Sequence, residues 1–384
     1  MIFRARTYPS GTAVKNDLRR LGFDYPEVFP SELMAALFVE GNGPEVRSFC
    51  DMLREKGTRC LCRRTGLQYW ACVLAGDLRS LDTLVGEDED AFSALQAYCS
   101  QGAPSMTLPR GSLDFSRPLV MGIVNATPDS FSEGRVEVDV GECVQRALRM
   151  VAEGADIIDV GGESTRPGAL PVDTREELGR VVPIISFLSE RTTLPISVDT
   201  RKPEVAMAAI EAGASIINDV SGLEDPAMVE VASQSNVSVI LMHMLGDPMT
   251  MQEKVDATTY EDVVADIMRF WEERMDLAEE RGLGRDRIIL DPGIGFGKLL
   301  EHNLEILDRL REMRCSGRPL LIGASRKGFI GRITGEPPEQ RLGGSLAAAA
   351  LAALNGANII RVHDVRETVG LLRTLNAITN GSRT

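Results

Sequence analysis

The chain has 384 residues, 43% of them hydrophobic and 26% charged, enough for one large domain and a smaller companion. Its formal net charge of −14 argues against a general nucleic-acid or anionic-membrane surface, though not against a local basic pocket. The opening MIFRARTYPS lacks the apolar core of a secretory signal, and the run SLAAAALAAL is too short to span a bilayer, so a cytoplasmic location is expected.

Residues 1–105 read as a small α+β module. A strand is expected at 33–40 and a helix at 43–57, with Val46, Phe49, Cys50 and Leu53 on one face. Strands at 58–64 and 69–74 flank a turn at Thr65-Gly66, and 78–85 and 91–99 are helical, which suggests a split βαβ arrangement without chemistry of its own. Five of the seven cysteines lie here. Cys60-x-Cys62 has neither a second pair nor a nearby histidine, so reduced structural thiols are expected rather than a zinc site. The polar stretch 100–105 marks a boundary, and 106–117 reads as a short hairpin or plug before the main domain, 106–384.

From Pro118 strands and helices alternate to the end of the chain. The strands are expected at 119–125, 155–161, 196–199, 216–219, 239–244, 288–291, 320–325 and 359–364. A phrase recurs at three of them: Gly154-Ala155, Gly213-Ala214 and Gly356-Ala357 each end a helical pattern and lead into isoleucine pairs. Eight strands with eight helical patterns in about 265 residues fit a (β/α)8 TIM barrel. The rival, a doubly wound sheet, lacks the Gly-x-Gly-x-x-Gly turn after its first strand.

A barrel places its site at the C-terminal strand ends, and every end here is polar or ionisable. Asp199, Asn218 and Asp291 suit the edge of a planar heterocycle rich in N–H donors. Arg166, Lys327, Arg361 and His363 are anion ligands, and Asn125 can hold a hard cation that carries phosphate oxygens. The ligand so described has a donor-rich ring at one end and a phosphate or diphosphate at the other. Lys298 is expected to be a solvated loop charge, Glu163 a residue that holds its loop's shape, and Asp364 either a helix cap or a direct participant. His243, His302 and His363 lack metal-site spacing and are not expected to share an ion.

These motifs together resemble the dihydropteroate synthases of the pterin-binding barrel family. The resemblance rests on the run Met121 to Ser132, on Gly161 to Gly168, on Ser197-Val198-Asp199-Thr200 and on Asn218 to Gly222. It continues in Met242-His243-Met244, in Asp291 to Lys298, in Ser325-Arg326-Lys327 and in Arg361-Val362-His363-Asp364. It implies condensation of a 6-hydroxymethyl-dihydropterin diphosphate with 4-aminobenzoate and release of diphosphate. By the resemblance, the pterin meets Asp159, Asp199, Asn218, Asp291 and Lys327. Diphosphate meets Arg166, Arg361 and His363, with Mg²⁺ on Asn125. The arylamine lies near Phe131, Thr165, Pro167, Phe296 and Lys327. The resemblance also implies a homodimer and small-molecule substrates alone, with Lys327, Arg361, His363 and Asp199 in catalytic roles.

The chain departs from the family pattern at Glu133, Asp247, Leu299 and Gly328. Many relatives carry serine at the last of these to hold the benzoate carboxylate. That opens a close alternative, a ribosylated arylamine acceptor. A pterin-dependent methyltransferase and a non-catalytic pterin-binding subunit are further alternatives, but neither needs the diphosphate-binding set.

Overall fold

In the computed structural model the described residues are 1–9, 11–23, 34–58, 60–65, 68–100, 105–127, 138–165, 168–246, 249–251, 255–256 and 258–380. They form two compact units. One comprises Met1–Gln101, Val264–Arg269 and Arg309–Gly317; the other Gly102–Val263, Phe270–Asp308 and Arg318–Thr384.

The larger unit is a (β/α)8 barrel. Its strands are β1 (Leu119–Asn125), β2 (Ile157–Gly161), β3 (Ile196–Asp199), β4 (Ile216–Asp219), β5 (Ser238–Met242), β6 (Ile288–Asp291), β7 (Leu321–Ile322) and β8 (Ile359–Val362). The ladder runs β6-β5-β4-β3-β2-β1-β8-β7 with parallel neighbours, and a bridge between Leu290 and Leu320 closes the circle. Side chains alternate along each strand. Ile158, Val160, Ile196, Val198, Ile217, Val239, Leu241 and Leu290, the outward set, are fully buried under the helices. The inward set begins with Met121, Ile157, Ile216, Ile240, Ile289, Leu321 and Ile359 in one apolar cluster. A hairpin of Met106–Thr107 and Ser112–Leu113 joins that cluster through Met106, Leu108, Leu113 and Phe115, as the plug reading expected. Two residues further along β2, β4, β6 and β8 the next inward positions are Asp159, Asn218, Asp291 and Arg361. The period of the strand therefore carries the polar groups one layer above the apolar plug.

The recurrent glycines have a backbone reason. Gly154, Gly213 and Gly356 have φ of 100°, 116° and 96°, the left-handed region where a helix ends and the chain turns into the next strand. Helices Pro203–Glu211 and Pro226–Ser235 begin on proline, where the missing N–H has no partner to lose. The expected strand at 320–325 is shorter than read. Only Leu321–Ile322 form a strand, with Leu320 bridged to Leu290 before it, and Arg326 takes a φ of 56° where the chain turns away. A short helix, Gly328–Thr334, adds to the alternation.

The smaller unit is a four-stranded sheet in the order Ile2–Thr7, Ala35–Gly41, Gln68–Ala75, Cys60–Thr65, every neighbouring pair antiparallel. Strands Ala35–Gly41 and Cys60–Thr65 are joined by helix Gly43–Glu55 and run parallel with Gln68–Ala75 between them, which is a split βαβ unit. The first strand and helix Gly11–Arg20 escaped the sequence reading because Arg4 and Arg6 look solvated. Arg4 is in fact 1% exposed, paired with Glu312 at 3.4 Å and set against the rings of Phe38 and Trp70.

Candidate active site at the barrel mouth

The inward residues at the ends of β2, β3, β4 and β8 meet. Asp159 Oδ2 accepts from Arg361 Nε at 2.7 Å and from Asn218 Nδ2 at 3.3 Å. Asp199 Oδ2 accepts from Arg361 Nη2 at 2.6 Å. Asp159 Oδ1 is buried without a hydrogen-bond partner, an orphan acceptor at the floor of the mouth. Burial pushes Asp199 up to about 7, against the pull of Arg361 and with the push of Asp159. Burial would lower the Arg361 guanidinium, but the two carboxylates more than offset it and hold it above its ordinary value.

Asp291 and Lys327 form the second half. Asp291 Oδ1 accepts from the Gly293 N–H at 2.7 Å, and burial raises the carboxyl despite the charge of Lys327. Lys327 Nζ donates to the Ile294 carbonyl and stands 4.3 Å from the centre of the Phe296 ring. Burial lowers Lys327 to about 8, with Asp291 opposing. His363 Nδ1 lies 3.0 Å from Ser325 Oγ, so β8 and the end of β7 orient the ring together. Asn125 and Thr165 are half-buried, at the end of β1 and in the loop after β2. Phe131, Arg166 and Pro167 lie outside the described residues.

One neighbour, Lys298, differs from its expected place. Lys298 is not a solvated charge; it is 2% exposed, 2.9 Å from His243 Nδ1, and donates to the Phe296 carbonyl at 3.0 Å. The loop after β6 folds back because Gly293, Gly295 and Gly297 all take positive φ, which tucks the lysine stem inward. Burial lowers Lys298 to about 7 and, with the lysine's charge, holds His243 well below its ordinary value. Asp364 binds Arg326, through Nε at 3.0 Å and Nη2 at 2.5 Å. That pair, with the Ser345 hydroxyl on the Arg326 N–H at 2.9 Å, holds Arg326 in its left-handed conformation between Ser325 and Lys327. Glu163 does hold its loop: it accepts from the Val172 N–H at 2.8 Å and pairs with Arg201 at 3.0 Å and Lys202 at 2.6 Å. Among the described residues the three histidines do not converge; the rings of His243 and His302 both pack on Tyr260, and His363 sits with Ser325. The sequence signal that points to the loop after β6 is its alternating Gly-x-Gly-x-Gly.

Such a mouth, with acceptors and an amide beside fixed cations, is that of a barrel enzyme built for a donor-rich ring joined to an anion. Residues 121–363 match the family described as pterin binding enzyme. The dihydropteroate synthase of Escherichia coli K12 is 49% identical over 266 residues, 69% of this chain and 93% of that protein. Two solved structures of Xanthomonas albilineans dihydropteroate synthase share the fold. The one with 4-aminobenzoic acid has a TM-score of 0.67 at 48% identity and covers 72% of this chain and 98% of that one. The one in complex with 7,8-dihydropteroate has a TM-score of 0.64 at 45% identity, covering 72% and 98%. The chain belongs to the pterin-binding enzymes and, within them, to the dihydropteroate synthase family.

Proposed function

We propose that this chain is a transferase that condenses 6-hydroxymethyl-7,8-dihydropterin diphosphate with 4-aminobenzoate, giving 7,8-dihydropteroate and diphosphate. The family supports the reaction, through relatives whose structures hold 4-aminobenzoic acid and 7,8-dihydropteroate. Within this chain one observation carries it: Asp159 Oδ1 is a buried acceptor without a donor, beside Asp199 and Asn218. A pterin edge brings N–H donors to such a floor. An unmet buried acceptor costs about 1–3 kcal/mol, and pairing it recovers that cost on binding.

In this reading Asp159, Asp199, Asn218, Asp291 and Lys327 hold the pterin. Arg361, His363 and Arg166 receive diphosphate, and Phe296, Thr165, Phe131 and Pro167 flank the arylamine. Arg361 has Nε and Nη2 committed to the carboxylates, which aims the rest of its fork. The single amide oxygen of Asn125 suits a Mg²⁺ that arrives on the diphosphate and keeps its waters, since the described residues place no cluster of three carboxylates or histidines there. When bound, that ion neutralises charge on the leaving diphosphate.

The residues then account for the steps. The arylamine nitrogen bonds to the pterin methylene as the C–O bond breaks, its electron pair leaving with diphosphate. The nitrogen afterwards gives its proton to solvent. Positive charge that spreads into the ring is met by Asp199 and Asp291. An aniline nitrogen is already neutral at pH 7, so orientation is the chief remaining task. No protein nucleophile is required.

The acceptor is the finer part of the proposal. A side chain at Gly328 would meet nothing within 4 Å, which leaves room for a bulkier, ribosylated arylamine. A homodimer in the cytoplasm is proposed with it; no helix among the described residues is long and apolar enough to cross a membrane. The test is to incubate the protein with dihydropterin diphosphate, Mg²⁺ and either 4-aminobenzoate or a ribosylated arylamine, and follow diphosphate release. Release with 4-aminobenzoate supports the reading, release only with the ribosylated amine reassigns the acceptor, and no release with either refutes the synthase.

A further inference from the structure

The small unit contains a constellation that the barrel chemistry does not use. Cys50, on the buried face of helix Gly43–Glu55, meets Cys60 and Cys62 of the edge strand Cys60–Thr65. The three sulfurs lie within 4.8 Å of one another, Cys50 Sγ being 2.8 Å from Cys60 Sγ and 3.4 Å from Cys62 Sγ. All three are free thiols, and among the described residues this is the one group of three such ligands.

The arrangement follows from periodicity. Cys60 and Cys62 are two apart on a strand and so share a face, while Leu61 and Arg63 take the other. Leu61 packs on the cluster around Trp70, and Arg63 lies 4.9 Å from the Trp70 ring. Cys50 joins Val46, Phe49 and Leu53 on the helix face that packs against the sheet. A Cys-x-Cys pair alone is a poor metal site; the helix supplies the third sulfur that local spacing did not show.

We propose that Cys50, Cys60 and Cys62 form a thiolate site for a thiophilic d¹⁰ cation, Zn²⁺ or Cu⁺. Three thiolates at a metal–sulfur distance of about 2.3 Å stand roughly 4 Å apart, within the reach of the observed triangle after small side-chain rotations. Soft ligands of this kind select such ions over Mg²⁺ or Ca²⁺. Cu⁺ takes the three sulfurs as a trigonal set; Zn²⁺ adds a water on the side where Cys62 is exposed. A second observation points the same way. Arg54, one helical turn beyond Cys50, sets Nη2 3.5 Å from Cys62 Sγ, an outer partner that offsets the negative charge of a trithiolate. Binding releases the thiol protons and pins helix Gly43–Glu55 to an edge strand, a brace for a unit with a small core.

The test uses the full chain, reduced and stripped with a chelator. Cd²⁺ serves as the spectroscopic probe for thiolate-to-metal charge transfer. Zn²⁺ and Cu⁺ are then titrated separately, each against a chromophoric chelator. One equivalent of Cd²⁺ with a charge-transfer band, displaced by one of the two ions, is expected. C60S and C62S lose stoichiometric binding, and R54A weakens it about 10- to 100-fold. Cys50 is buried, so C50S can fail by misfolding; Cys62 is exposed, and C62S retains the turnover of the barrel as its folding control. Absence of the band, or binding that survives C60S and C62S, overturns the proposal.

Discussion

Replacing Arg361 by methionine keeps the volume of the side chain and removes its charge. Arg361 is the cation hydrogen-bonded to both Asp159 and Asp199, whose side chains are 0% and 9% exposed. Breaking a buried ion pair by deleting one partner costs about 3–5 kcal/mol, because the other charge stays buried. Here the cost depends on pH, and its sign can be worked out. Burial raises Asp199, so between its unfolded value and its folded value the native state holds a proton that the unfolded chain lacks. Stability from this group is present at low pH and is lost as pH rises through the folded value. R361M removes the influence that pulls Asp199 down, so the window extends upward. The penalty of R361M at about pH 8 then exceeds that at about pH 5.5 by up to about 1.4 kcal/mol, because the extended window adds only the one unit between about 7 and 8. Of the chain's two tryptophans, Trp70 is in the small unit and Trp271 in the barrel unit, so urea unfolding followed by fluorescence in a W70F background reports the barrel. Equal penalties at both pH values, or a penalty under about 0.5 kcal/mol at each, would refute the reasoning. Turnover of R361M should be lost at either pH.

Lys327 is lowered to about 8 by burial, so kcat/KM should fall as pH rises through that value; K327R keeps the charge and should move the alkaline limb upward, and an unmoved limb would assign it to another group. Gly293 has a φ of 67°, and an added Cβ would lie 2.0 Å from the His243 carbonyl oxygen. G293A should therefore destabilise the barrel by about 3 kcal/mol or more in the same unfolding assay, and a neutral variant would show that the loop after β6 can refold around it. At Gly328 the space is open, so G328S should leave stability within about 0.5 kcal/mol. If the benzoate carboxylate sits at that helix start, G328S should lower KM for 4-aminobenzoate about tenfold through one charge-assisted hydrogen bond. Unchanged KM would place the carboxylate elsewhere.

What was legible in the chain were the features set by short periods. Alternation along β2, β4, β6 and β8 is enough to put Asp159, Asn218, Asp291 and Arg361 on one face above an apolar layer. The helix-ending glycines and first-turn prolines are equally local. Burial of charge was not legible. Lys298 follows Gly-Phe-Gly and looks like a loop cation, yet its partner His243 is 55 residues away. Asp364 looks like a helix cap, and its partner Arg326 is 38 residues away. Cys50 shows nothing until a helix sets it against a strand ten residues on.

The same gap appears at the centre of the site, with a consequence for binding. Residue type sorts Asp159 and Asp199 with a heterocycle and Arg361 with an anion. Strand order does not say that they touch, because the pairs span 202 and 162 residues and depend on the closure of the barrel. One guanidinium between them offsets part of the charge of the two acids, and burial raises Asp199, which is how both carboxyl groups remain buried so close together. A ligand that brings ring donors to the acids and an anion to the free part of the guanidinium fork gives each a second partner while Nε and Nη2 keep theirs. A ring without its diphosphate, or diphosphate without its ring, supplies only one of those partners. The two halves should therefore bind more tightly joined than their separate affinities imply, and R361M should weaken the joined ligand far more than the bare pterin.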